Sequence, residues 1–191
     1  YPSAEVTSGA VMFERDVQAT LECTSTGIPK GSDSRTIEFW AYIHNKWHGW
    51  QNIFSYGASG SGQCFGLNTG NTDGNLAFTG YSAGDWDTGV NALKYADAWH
   101  HFVVTYYGTN TVEIFIDGIS IGSVTRSLNT SGTTFHIGGS EHGGEHFTGM
   151  ISNFRVRTGR KYTSNFIPPT EPLTADSDTV LLCCQSSTSA V

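Results

Sequence analysis

Charge is scarce in this chain. Only 14% of its 191 residues are charged, and 10 lysines and arginines face 17 acids, for a formal net charge of −7. A nucleic-acid binder would carry a basic stripe to meet phosphates, so nucleic acid is excluded as a partner. Long hydrophobic runs are missing as well. No stretch approaches the roughly 18 apolar residues that span a bilayer, which argues against membrane insertion. The start, Tyr1-Pro-Ser-Ala-Glu-Val6, has no basic region followed by an apolar one, so no signal peptide is visible there. Proline occurs five times and cysteine four times. Cys23, Cys64, Cys183 and Cys184 form no C-x-x-C pair and no zinc-ligand spacing. They are expected to be free buried thiols, with a Cys23–Cys64 bridge left open, and they do not fix the redox compartment. Helical periodicity is nearly absent too.

What is abundant is glycine, at 23 residues, and aromatic side chains, at 13%. The chain is long enough to bury a core without a metal or disulfide, and residues 1–191 are taken as one domain. Short stretches alternate with period two between Gly, Asn, Asp and Ser clusters, which marks strands. Val17, Ala19, Leu21 and Cys23 share one face of a first candidate. Ile37, Phe39, Ala41 and Ile43 share one face of a second, while Glu38, Trp40 and Tyr42 make its other face aromatic and polar. Further strands are predicted at Asn52–Tyr56, Gln63–Thr69, Asn75–Tyr81, Trp99–Tyr107, Thr111–Asp117 and Ile119–Thr125. Thr134–Gly138, Thr148–Arg157 and Thr179–Gln185 complete the series. Asp117-Gly118 is a favoured type I′ hairpin pair. One helical turn is expected near Tyr162–Phe166, stopped by Pro168-Pro169. Many short strands with regular turn signals predict an all-β, antiparallel β-sandwich of jelly-roll type.

Six motifs occur in order: Thr36-Ile-Glu-Phe-Trp40, Asn52-Ile-Phe-Ser55, Trp99-His-His-Phe-Val-Val-Thr105, Val112-Glu-Ile-Phe-Ile-Asp-Gly118, Phe135-His-Ile-Gly-Gly139 and Phe147-Thr-Gly-Met-Ile-Ser-Asn-Phe-Arg-Val156. Together they resemble the concanavalin A-like lectin/glucanase superfamily, in its laminin G-like and pentraxin-like branch, over about residues 10–185. The segment from Arg160 to Ser186 is similar to a variant seen in virion proteins of marine bacteriophages. The resemblance implies a virion-surface or extracellular location. The end at Ser189-Ala-Val191 fits a piece of a longer or processed polypeptide.

The superfamily includes glucanases, so a glycoside hydrolase is the catalytic alternative. Retaining hydrolysis needs two carboxyl groups about 5–5.5 Å apart. The superfamily's hydrolases place them as E-x-D-x-x-E on one strand face. Here Glu14-Arg-Asp16 puts Ala19 where the third carboxylate belongs, so the motif is broken. Asp85 and Asp87 flank Trp86 with no placed proton donor. There is no G-x-S-x-G elbow and no recognisable nucleophile motif. The chain is therefore read as non-catalytic, with no catalytic residues.

Three segments are candidate binding sites. Asn45-Lys-Trp47-His48-Gly-Trp50 places two indoles and an imidazole on one connection, suited to stacking on sugar rings and bonding their hydroxyls. Tyr81-Ser-Ala-Gly-Asp85-Trp86-Asp87 repeats that chemistry with two carboxylates. Ser140-Glu141-His142-Gly-Gly-Glu145-His146 gathers four side chains able to contact a ligand or metal, against the alternative of a solvated hairpin tip. Relatives in the resembled branch often bind calcium, and Asp73, Asp85 and Asp87 are the plausible oxygen donors here. The expected function is a binding or adhesion module whose partner is a carbohydrate or glycoconjugate. The alternative is a structural virion, fibre or filament subunit acting through protein contacts. Homo-oligomers or virion proteins are further expected partners, since an open sandwich has edges to cover.

Overall fold

A computed structural model describes residues 2–45, 49–70, 74–140, 143–186 and 188. Thirteen strands appear in order among them: β1 (Val11–Phe13), β2 (Leu21–Thr24), β3 (Arg35–Ile43), β4 (Gln51–Gly57), β5 (Cys64–Thr69), β6 (Asn75–Thr79), β7 (Trp86–Asn91), β8 (Trp99–Tyr107), β9 (Thr111–Ile116), β10 (Ile119–Thr125), β11 (Thr134–Ile137), β12 (Gly149–Thr158) and β13 (Thr179–Cys183). One short helix, α1 (Ala4–Ser8), precedes them. None of the described helices is long and apolar enough to cross a membrane.

The strands form two antiparallel sheets, as the alternation predicts. A seven-stranded sheet runs β1-β12-β3-β8-β9-β10 with β13 also on β12, and a six-stranded sheet runs β2-β11-β4-β5-β6-β7. Alternate residues of each strand point between the sheets, and the large ones are aromatic. Phe39 stacks on Phe102 and Phe154 within its own sheet and meets Phe54 of the opposite sheet edge-on at 5.8 Å. Phe54 in turn stacks on Phe135. This aromatic core fixes the separation of the sheets.

Several expectations need correction. The first candidate strand begins late: Arg15–Val17 is a 3-10 turn, Gln18 adopts φ 55°, and pairing starts only at Leu21. Val17 is left 73% exposed. Trp86–Asn91, where the sequence predicts no strand, forms β7. No helix forms over Tyr162–Phe166. Instead residues 159–178 run as a strap across the outer face of the seven-stranded sheet. Phe166 N–H donates to the Gly118 carbonyl at 2.9 Å, and Leu173 N–H donates to Asn153 Oδ1 at 2.7 Å. The polar second face of β3 is therefore met by the chain itself. Glu38, wholly buried, accepts from Arg155 Nε at 2.9 Å, Arg155 Nη2 at 2.5 Å and Tyr162 at 2.7 Å.

All four cysteines are free. Cys23 on β2 and Cys64 on β5 are separated by two strands of the same sheet, which leaves no bridge between them. Cys183 and Cys184 are both buried, with their sulfurs 3.8 Å apart. The hydrogen bond with the Cys184 thiol, and then burial, push Cys183 well above the usual thiol range.

A candidate carbohydrate groove on the six-stranded sheet

The outer face of the six-stranded sheet is hollow because its outward residues are small or carry amides. On β4, β5 and β6 the inward positions hold Phe54, Phe65, Leu67, Leu76 and Phe78, all fully buried. Register sets Asn52 beside Asn68, Asn68 beside Ala77, and Ala77 beside Asp87 on the opposite face. A second row crosses from Ser55 to Gly66 to Thr79. Gly66 is required there, since a Cβ would fall 2.9 Å from the Phe54 carbonyl and 3.1 Å from Ser55 Cβ.

These rows floor a groove of about 460 Å³. That lies within the range of small-ligand sites, about 300–1,000 Å³. Trp50, Ser140 and Glu145 wall one end, and Tyr81, Asp85 and Trp86 wall the other. Of the residues proposed from sequence, the fold therefore brings Trp50, Asp85, Trp86, Asp87 and Glu145 together. His146 does not line the groove. It is buried and lies against Gly139, with Nδ1 lacking a hydrogen-bond partner among the described residues. Trp47, His48, Asp73, Glu141 and His142 lie outside the described residues.

Each carboxylate is held by a neighbouring donor. Asn52 Nδ2 donates to Glu145 Oε2 at 2.6 Å. Tyr81 N–H donates to Asp85 Oδ1 at 2.7 Å, which shapes the turn before β7. Gly89 N–H and Asn75 Nδ2 donate to the two oxygens of Asp87, at 2.8 and 3.3 Å. Burial pushes the Asp85 carboxyl up, opposed by its backbone hydrogen bonds and by the charge of Arg126. Calcium takes six to eight oxygens. Among the described residues no three His, Cys, Asp or Glu side chains are grouped closely enough to hold a metal ion.

Trp86 serves two structures at once. Its indole packs against the core and reaches Gly122 of the other sheet, yet the residue also walls the groove. Trp50 is freer, at 38% exposed. Sequence reasoning missed Asn52, Ser55, Asn68 and Thr79. Their signal was the polar and small half of the same alternation that placed the core. Asn68 is distinctive among them. It is buried, its Nδ2 donates to Thr79 Oγ1, and its Oδ1 has no partner among the described residues.

The remaining candidates have structural surroundings. His101 is buried under the strap, 3.5 Å from Glu38 and edge-on to Phe166. His100 Nδ1 pairs with Asp117 Oδ2 at 2.6 Å. Glu14 and Asp16 lie at the 3-10 turn rather than together on a strand.

Residues 16–160 match the family profile of the concanavalin A-like lectin/glucanases superfamily. The chain belongs to that superfamily. No curated protein matches its sequence. Among solved structures, a candidate carbohydrate-binding protein from Bacteroides ovatus superposes with a TM-score of 0.68 at 18% identity, over 91% of this chain and 50% of its own. This superfamily member thus spans about half of that relative. A carbohydrate-binding module of a Ruminococcus gnavus sialidase, bound to α2,6-sialyllactose, gives 0.54 at 14% identity over 82% of this chain and 94% of its own. A tailspike protein of Escherichia coli O157:H7 bacteriophage CAB120 gives 0.62 at 13% identity, with 100% of this chain covered and 28% of the tailspike. At these identities the likeness is one of fold.

Proposed function

We propose that residues 1–191 act as one non-catalytic carbohydrate-binding module whose ligand lies in the groove of the six-stranded sheet. The observation that carries this reading is the buried, partnerless Oδ1 of Asn68 in the floor of a groove walled by Trp50, Trp86 and Tyr81. A buried acceptor without a donor costs about 1–3 kcal/mol, and a sugar hydroxyl is the right group to relieve it. Aromatic walls supply faces for the apolar side of a pyranose, and the carboxylates accept from further hydroxyls. The broken E-x-D-x-x-E motif and the protein donors already on each groove carboxylate support binding without hydrolysis. Carbohydrate-binding fold neighbours support it too.

The test is calorimetric titration of the purified chain with an oligosaccharide panel, alongside a reducing-sugar assay on polysaccharides. The reading expects saturable binding that falls on Trp50→Ala and Asn68→Ala, with no sugar released. Release of reducing ends would replace it with a hydrolase. A second reading, placement in a virion or at an extracellular surface, is favoured by the full coverage of this chain within a phage tailspike. Its test is whether the chain co-purifies with virions or forms discrete oligomers by light scattering.

A further inference from the structure

Among the described residues, the charged side chains that line the groove are all acidic. Asp85, Asp87 and Glu145 line it, and no lysine, arginine or histidine does so among the described residues. Two arginines stand beside wall residues, and the charge of Arg126 offsets part of that of Asp85. Arg126 Nε donates to the Asp85 carbonyl at 3.0 Å, and Arg15 Nη1 to the Trp50 carbonyl at 3.1 Å. Glu145, bonded to Asn52 of β4, and Asp87 of β7 lie across the groove from each other, with β5 and β6 between those strands. Like charge in a partly enclosed cleft is felt more strongly than in open water, and the chain's net charge of −7 adds the same sign.

We propose that this groove selects uncharged and amine-bearing saccharides and rejects anionic ones. The inference rests on the carbohydrate-binding reading and narrows its ligand class. A sialic acid or uronate carboxylate is ordinarily met by an arginine or lysine, in the best case a bidentate guanidinium. Here it would meet Asp85, Asp87 and Glu145 instead. A neutral sugar presents hydroxyl donors to the same oxygens and to Asn68 Oδ1. A free amine adds a charge of complementary sign. The sialyllactose-bound fold neighbour therefore gives the fold of this chain but not its ligand.

The experiment titrates the whole chain, with metals chelated, against three size-matched families of oligosaccharide: uncharged, carboxylate-bearing and amine-bearing. The expected result at low salt is binding of the uncharged and amine-bearing families, with the carboxylate-bearing family about tenfold weaker or worse. High salt narrows that gap by screening. Asp87→Asn and Glu145→Gln, which keep hydrogen-bonding side chains in place, raise affinity for the carboxylate-bearing family and lower it for the amine-bearing one. Thermal melts confirm that each variant is folded. Carboxylate-bearing sugars binding as tightly as uncharged ones would overturn the selectivity and leave the binding module standing. No binding by any family would overturn both.

Discussion

The indole of Trp86 packs against Gly122, at ordinary van der Waals distance from where a Cβ there would stand. A Cβ at position 122 would sit 3.4 Å from Trp86 Cζ2 and 3.5 Å from Cη2, and Gly122 holds φ +142°. Trp86 is on β7 of one sheet and Gly122 on β10 of the other, so this contact closes one edge of the sandwich. Trp86→Ala should therefore cost about 2–3 kcal/mol of stability as well as weaken ligand binding. Trp50→Ala should leave stability within about 0.5 kcal/mol and weaken binding about tenfold. Chemical unfolding and titration of both variants separate the two roles. Equal stability of the two would contradict the edge-closing assignment.

Gly118 has a second reason to be glycine beyond its turn. Asp117 and Gly118 adopt φ 50° and 77°, consistent with the predicted type I′ pair. The strap adds a steric limit, because a Cβ at 118 would fall 1.9 Å from the Phe166 carbonyl. Gly108, at φ +58°, has nothing within 4 Å of such a Cβ. Gly108→Ala should cost only left-handed strain, about 1 kcal/mol, whereas Gly118→Ala should cost more and loosen the strap. Limited proteolysis across residues 159–178, compared between the two variants, reads the difference.

That pair shows what sequence makes legible. Alternation places Arg35–Ile43 and Trp99–Tyr107 well because the inward side chains of each meet the opposite sheet, so period two survives. It fails at Val17, where a 3-10 turn and left-handed Gln18 interrupt an alternation that looks continuous. It also hides β7, whose Asp, Thr, Gly and Asn residues read as loop. The aromatic and polar outer face of β3 is visible in sequence, but its cover comes from a segment more than a hundred residues later. The groove is half legible. Trp50, Asp85, Trp86, Asp87 and Glu145 stand out by chemistry, while Asn52 and Asn68 become neighbours only through strand register.

Arg35 is a buried cation whose guanidinium is hydrogen-bonded to oxygens that carry no formal charge. It donates to the carbonyls of Pro29, Gly31 and Asp33 and to the Tyr56 hydroxyl at 2.7–3.0 Å, beneath the rings of Phe65 and Tyr106. Burial pushes the Tyr56 hydroxyl up to about 12, so it stays protonated and passes its own hydrogen bond to the Pro29 carbonyl. Arg35→Lys cannot reproduce this fork of donors. It should lose about 3 kcal/mol or more, with the loop over residues 28–33 exchanging its amide protons faster. Wild-type unfolding by that variant would show that the loop is held by packing alone.

Acid should release the strap before it unfolds the sandwich. Burial alone would raise the Glu38 carboxyl, but His101, Arg155 and Tyr162 oppose it, and the net direction is down from an ordinary value near 4.5. A carboxyl lowered on folding contributes stability that is fully present above that ordinary value and is lost as pH falls through the folded value. The window therefore opens below about pH 4.5. Protonation disrupts the ion pairs with Arg155 and with Lys161, whose Nζ stands 3.3 Å from Glu38 Oε1. Glu38→Gln should cost about 3 kcal/mol at neutral pH by leaving Arg155 buried without its counter-charge, and should flatten the acid limb of the stability curve. Hydrogen exchange across residues 159–178 should accelerate on acidification ahead of exchange in β4 and β5. Simultaneous opening of strap and sheet would place the acid-sensitive contact elsewhere.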